Sequence, residues 1–132
     1  MHYQVVYQQS TLVITVLECK NLNKSDLAGG APDGIVEVYL LPGSNKPEKT
    51  KTVKNSINPI FNESFRFQVP HSELKSKTLI FQVFDWDRFS KNDPIGEVKI
   101  QLGNIDVSKP LEEWRVLQPI TGKVASKSTF YF

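Results

Sequence analysis

Three carboxylates and a hydroxyl crowd one short stretch of this chain: Asp85, Asp87 and Asp93 with Ser90, all between Val83 and Gly96. Asp85 and Asp87 are two apart, so at the end of an extended strand they leave on one side and are expected to converge. Two carboxylates 4 Å apart repel by about 1 kcal/mol in water and by several times more in a cleft of lower dielectric. The chemistry this predicts is capture of a cation.

Two apolar runs flank the stretch, Leu79 to Phe84 before it and Ile95 to Leu102 after it, so it reads as a loop held between two strands. The rest of the chain repeats this theme. Met1 to Tyr7 and Thr11 to Leu17 form an opening hairpin around Gln8 to Ser10, with apolar residues in partial alternation. Glu18 to Gly34 breaks the pattern with Asn21, Asn23, Gly29, Gly30 and Pro32 and carries two further acids, Asp26 and Asp33. A loop of that length inside a compact domain usually has a function. Ile35 to Leu41 is a strand. Lys49 to Lys54 reads as another, with Lys49 and Lys51 on one face and Thr50 and Thr52 on the other, which makes a basic stripe. Ile60 to Val69 and Leu111 to Leu117 complete the strands, and His71 to Ser76 holds a helical turn. Seven or eight short strands with no long amphipathic helix predict an all-β fold, an antiparallel β-sandwich.

At 132 residues the chain fits one domain. Sixteen basic against fourteen acidic residues give a formal net charge of +2, too even to predict a nucleic-acid partner. A lone Cys19 cannot close an internal disulfide, which points to a reducing compartment and a cytoplasmic setting. No apolar run is long enough to span a bilayer and the N-terminus has no signal-like core, so any membrane contact is expected to be peripheral, with a parent protein that could itself be anchored. Phe130-Tyr131-Phe132 is apolar enough to dock, with no docking site legible in the sequence.

These elements resemble a C2 domain from about Tyr3 to Leu117, of the eight-stranded synaptotagmin-like topology, with residues 1–120 as the domain and 121–132 as an extension. The resemblance is to the first C2 domain of the synaptotagmins. It is carried by Val38-Tyr39-Leu40-Leu41-Pro42, Asn58-Pro59-Ile60-Phe61-Asn62-Glu63, Pro70-His71-Ser72-Glu73-Leu74, the Asp85 to Asp93 stretch and Glu112-Glu113-Trp114-Arg115. Lys49-Thr50-Lys51-Thr52 resembles the conventional protein kinase C version. The resemblance implies Asp26 and Asp33 in a first calcium loop and Asp85, Asp87, Ser90 and Asp93 in a third, holding two or three Ca²⁺ ions. Ca²⁺ takes roughly six to eight oxygen ligands and tolerates irregular loop geometry, whereas zinc and copper want His or Cys, which do not stand nearby. In two places the sequence departs from the family: Asp33 is followed by Gly34-Ile35 where an Asp-Pro-aromatic sequence is usual, and the Asp26 to Asp33 spacing is one residue longer.

The resemblance also implies bilayer-dipping side chains at Leu27 and Phe89. It further implies a phosphatidylinositol 4,5-bisphosphate site built from Lys49, Lys51 and Lys54 with Trp86 and Asn92, although Ile35 and Glu37 stand where the kinase version has an aromatic residue and a lysine. The expected function is calcium-dependent binding of anionic phospholipid, phosphatidylserine included, as in membrane trafficking or exocytosis. Two other readings stay open. One is a calcium-independent C2 domain that uses the stripe to hold an acidic protein such as a membrane-fusion protein. The other is an enzyme holding Mg²⁺ for phosphoryl chemistry, which is disfavoured because no base, nucleophile constellation or Gly-rich phosphate loop accompanies the acids.

Overall fold

The structure is a computed structural model, and it describes residues 1–22, 30–43 and 46–121. Among these residues eight strands form two antiparallel four-stranded sheets. They are β1 His2–Gln8, β2 Thr11–Glu18, β3 Gly34–Leu41, β4 Glu48–Lys49, β5 Ile60–Gln68, β6 Thr78–Asp85, β7 Asp93–Gln101 and β8 Leu111–Trp114. The first sheet runs β5-β2-β1-β8 and the second β4-β3-β6-β7. A single helical turn, α1 His71–Leu74, stands at the predicted place and buries Leu74.

The opening hairpin forms because Gln9 and Ser10 both take positive φ, 52° and 62°, with Gln8 opposite Thr11. This is the two-residue turn whose twist matches the strands, made here without Asn-Gly. Inward-facing residues of the two sheets then meet. Tyr3, Ile14 and Val16 pack toward Val38, Phe81 and Val98, and the Tyr3 and Phe81 rings lie 5.1 Å apart. The Tyr3 hydroxyl donates to the Glu113 carboxylate, and burial, with that acceptor second, pushes the phenol above its ordinary pKa. Cys19 is fully buried, and burial pushes its thiol up to about 11, so it packs as a small apolar side chain and not as a nucleophile.

Two expected strands are shorter than the sequence suggests. The Lys49 to Lys54 segment gives only Glu48–Lys49 as a strand, followed by an isolated bridge from Val53 to Gly34. The reason is local. Val36 donates its N–H to the Thr50 hydroxyl at 3.0 Å, and Thr50 N donates to Val36 O at 3.0 Å, so a side chain replaces the backbone carbonyl in the ladder. Between this contact and the Val53 bridge the edge segment advances three residues while β3 advances two, which is the count of a bulge. The final strand likewise stops at Trp114. Arg115 to Gln118 cross to the second sheet, where Gln118 pairs with Glu97. Gly96 permits this approach, since a Cβ there would come within 2.8 Å of Leu117 Cβ.

Candidate metal and membrane site

The order β3-β6-β7 decides the site. β6 runs opposite to both neighbours, so the start of β3, the end of β6 and the start of β7 share one end of the sheet: Gly34 faces Asp85, and Asp85 faces Asp93. Asp33, Asp85 and Asp93 are thereby gathered at neighbouring strand ends. The two acidic segments are tied together by backbone as well. Trp86 N donates to Asp33 O at 2.8 Å, Asp33 N to Asp85 Oδ1 at 2.9 Å, and Asn55 N to Asp33 Oδ1 at 2.8 Å.

Residues 86–92 close on themselves. Asp87 Oδ1 accepts the Phe89 N–H at 2.8 Å, its Oδ2 accepts the Ser90 hydroxyl at 3.0 Å, and Asn92 Oδ1 accepts the Asp87 N–H at 3.0 Å. The Phe89 N–H, and after it the Ser90 hydroxyl, holds the Asp87 carboxyl below its usual range. Asp85 and Asp87 thus have different hydrogen-bond partners, the Asp33 N–H for the first and the Phe89 N–H with the Ser90 hydroxyl for the second. Among the described residues no three His, Cys, Asp or Glu side chains gather closely enough to hold a metal. Asp26 and Leu27, the predicted first-loop ligand and tip, lie outside the described residues.

The donor chemistry fits a hard cation. Asp33 and Asp85 each commit only Oδ1 to an N–H, so among the described residues their Oδ2 atoms accept no hydrogen bond, and Asp93 is exposed. The two histidines belong elsewhere: His2 lies between Glu18 and Glu112, and His71 is on α1. Beside the acids, Phe89 is 88% exposed, with the Arg88 guanidinium 5.6 Å from its ring centroid.

The lysine segment lies next to this loop. Lys49 and Lys51 are exposed, Thr50 is buried, and Lys54 Nζ stands 6.0 Å from the Trp86 ring centroid, which connects the stripe to the half-buried Trp86. Lys49 Nζ is 3.9 Å from Glu37 Oε2, so part of the stripe's charge is already answered. Sequence reasoning missed how deep the acids on this sheet lie: Glu37 and Glu97 are both buried. The signal available was the near-continuous apolar run on either side of Glu37 and Gln82, which marks strands covered on both faces.

The C2 domain family profile matches residues 10–117, including every described acid of the site. The chain belongs to the C2 domain family. It is 46% identical over 112 residues to synaptotagmin-2 of Mus musculus, covering 85% of this chain and 26% of that protein. It is 43% identical over 123 residues to synaptotagmin-1 of Caenorhabditis elegans, covering 92% of this chain and 28% of that protein. This C2 domain thus spans about a quarter of the length of the curated relatives it matches. Among solved structures, the crystal structure of a C2 domain of RIM from Drosophila superposes with a TM-score of 0.81 at 26% identity, covering 89% of this chain and 95% of that one. Among the described residues of the C2 domain no helix is long and apolar enough to cross a membrane.

Proposed function

We propose that this C2 domain, residues 1–120, docks on anionic phospholipid membranes when Ca²⁺ is present. Membership of the family and likeness to synaptotagmins support the reading. The observation that carries it is the gathering of Asp33, Asp85 and Asp93 at adjacent strand ends beside the bare Phe89 ring. In this reading Asp26, Asp33, Asp85, Asp87 and Asp93, with Ser90, hold the ions. Calcium, when bound, supplies positive charge between these carboxylates and lipid phosphate. Phe89 and Leu27 enter the bilayer, each contributing at most about 1.5 to 3 kcal/mol if fully buried. Lys49, Lys51 and Lys54, with Trp86 and Asn92, form a second contact for phosphatidylinositol 4,5-bisphosphate, worth about 1 kcal/mol per lysine near an anionic surface.

The exposed Lys49 and Lys51 support a second reading, in which the domain holds an acidic protein without calcium. Thermal unfolding in Ca²⁺ and in Mg²⁺ separates the two. A ligand at one hundred times its dissociation constant stabilises one site by about 2.7 kcal/mol. We expect a rise in Tm in millimolar Ca²⁺, a far smaller one in Mg²⁺, and co-sedimentation with phosphatidylserine vesicles only in Ca²⁺. An unchanged Tm in Ca²⁺, with binding to vesicles or protein that ignores the ion, would support the second reading.

A further inference from the structure

Among the described residues the large hydrophobic side chains left exposed all stand at the end of the sandwich that gathers the acids: Ile57, Ile60, Phe89, Trp114 and Val116. Ile60 opens β5 opposite Glu18, Glu18 is opposite His2, and His2 is opposite Trp114, so one row crosses the first sheet. That row and the acidic end meet at Gly34, where a Cβ would lie 3.6 Å from Leu22 Cδ1 and 3.5 Å from Pro59 Cγ. Phe89 is thus one of several bare apolar groups on this end. Trp114 and Val116, 46% and 78% exposed, stand apart from the acidic loop, at the close of β8 on the other sheet.

Beside Trp114 the surface folds into an open groove of about 410 Å³, between the end of β8 and the chain leaving β2, with Ile95 of β7 in its wall. That is the size of a small-ligand site. Leu22, Ile95, Trp114 and Val116 give it apolar walls, and Lys20 and Arg115 are its charged side chains. Among the described residues no carboxylate lines it. Lys20 Nζ lies 5.1 Å from the Trp114 ring centroid and makes no ion pair among the described residues. Arg115 holds Glu113 through Nε at 3.0 Å, with 44% of its side chain exposed. The neighbouring acids are already answered. Glu18 and Glu112 stand 3.1 and 2.8 Å from the two ring nitrogens of His2, and Glu113 accepts from Tyr3 as well as from Arg115.

Two cations over apolar walls suit a ligand with an anionic head and an apolar body. A guanidinium forks onto phosphate oxygens, and an ammonium meets them as a point charge. A Trp side chain suits the headgroup layer, because its ring is apolar and its indole N–H is polar. A bilayer meets the whole end at once, whereas a single peptide in the groove would leave Ile57, Ile60 and Phe89 in water.

We propose that the groove between Lys20 and Arg115 seats the phosphate of one anionic phospholipid, with Trp114 and Val116 in the headgroup layer. This is a lateral membrane contact, separate from the acidic loops and from the lysine segment. It rests on the membrane reading above and names a further site within it.

The test labels Val116→Cys in the full chain with a nitroxide, since buried Cys19 leaves the introduced thiol as the reactive one. On phosphatidylserine vesicles in Ca²⁺ the label should be sheltered from a water-soluble nickel chelate and open to oxygen. A label on Lys109→Cys, exposed just before β8 at the opposite end, should stay in water. Trp86→Phe leaves Trp114 as the one indole, and brominated phospholipid should quench its fluorescence with no label at the groove. Lys20→Gln with Arg115→Gln should weaken vesicle binding by about tenfold and return the Val116 label to water, while the rise of Tm in Ca²⁺ stays as in wild type. A label that remains in water with an unquenched Trp114, on vesicles that sediment the protein, overturns the groove site and leaves the membrane reading standing. Vesicles that take up no protein in Ca²⁺ overturn both. Immersion at Val116 that persists, with full affinity, without the two cations also overturns the proposal.

Discussion

The loop end and the outer face of the second sheet both collect acids, and they treat them in opposite ways. At the loop end Asp87 and Asp93 are exposed, Asp33 and Asp85 are half-buried, and the partners of Asp33, Asp85 and Asp87 are nearby N–H groups and a hydroxyl. On the sheet face Glu37 and Glu97 are buried and bonded to Tyr39, Gln82 and lysines. A carboxylate that remains wet can exchange its partner for an ion at small loss. A buried one is fixed, because removing its partner leaves a desolvated polar group behind. The first set is suited to a ligand and the second to holding the fold.

The comparison is broken most directly with the two phenylalanines. Phe84→Ala on the covered face should lower stability by about 3 to 5 kcal/mol, as for an aromatic removed from a packed interior. Phe89→Ala at the loop tip should stay within about 0.5 kcal/mol while weakening calcium-dependent vesicle binding. Denaturant midpoints and vesicle co-sedimentation read both, and a small effect at Phe84 would show that the face is bare. The acids come next. Glu97→Ala strands the Gln82 amide and should reduce stability by about 1 to 3 kcal/mol, whereas Asp93→Ala should leave the unfolding midpoint within about 0.5 kcal/mol of wild type.

The smallest effect sharpens the loop itself. Because the folded loop depresses the Asp87 carboxyl, Asp87 contributes stability above the ordinary carboxyl pKa of about 3.9, and that contribution is lost as pH falls through the lower folded value. Ser90→Ala removes the second cause of the depression, so the Asp87 pKa should move back up. Carboxyl ¹³C titration by NMR reads the shift, and an unmoved value would show that the Phe89 N–H acts alone.

Much of this was legible from residue types. Alternation in Thr11 to Leu17 marked a strand, and the apolar runs at Leu79 to Phe84 and Ile95 to Leu102 marked the two strands that hold the acidic loop between them. The acids at the ends of such strands had to share one edge once the pairing was antiparallel. What the sequence could not display were choices made by single side chains. The Thr50 hydroxyl takes an N–H from the ladder and cuts the lysine strand short. The Asp87 carboxylate accepts from the Phe89 N–H and the Ser90 hydroxyl. Burial of Glu37 is different: the near-continuous apolar run of Ile35 to Leu41 carried the signal of a strand covered on both faces, while the register that sets Glu37, Gln82 and Glu97 side by side is seen only in the fold.

Asp85→Asn with Asp87→Asn, compared with wild type on phosphatidylserine vesicles, bears most directly on the proposed function. Both residues sit at the loop end, and neutralising them removes charge without removing packing. We predict that the double variant still folds in the absence of calcium, with only a small fall in its unfolding midpoint from the weakened Asp87 hydrogen bonds, and fails to co-sediment when calcium is added. Co-sedimentation equal to wild type in calcium, with the fold intact, would contradict the account.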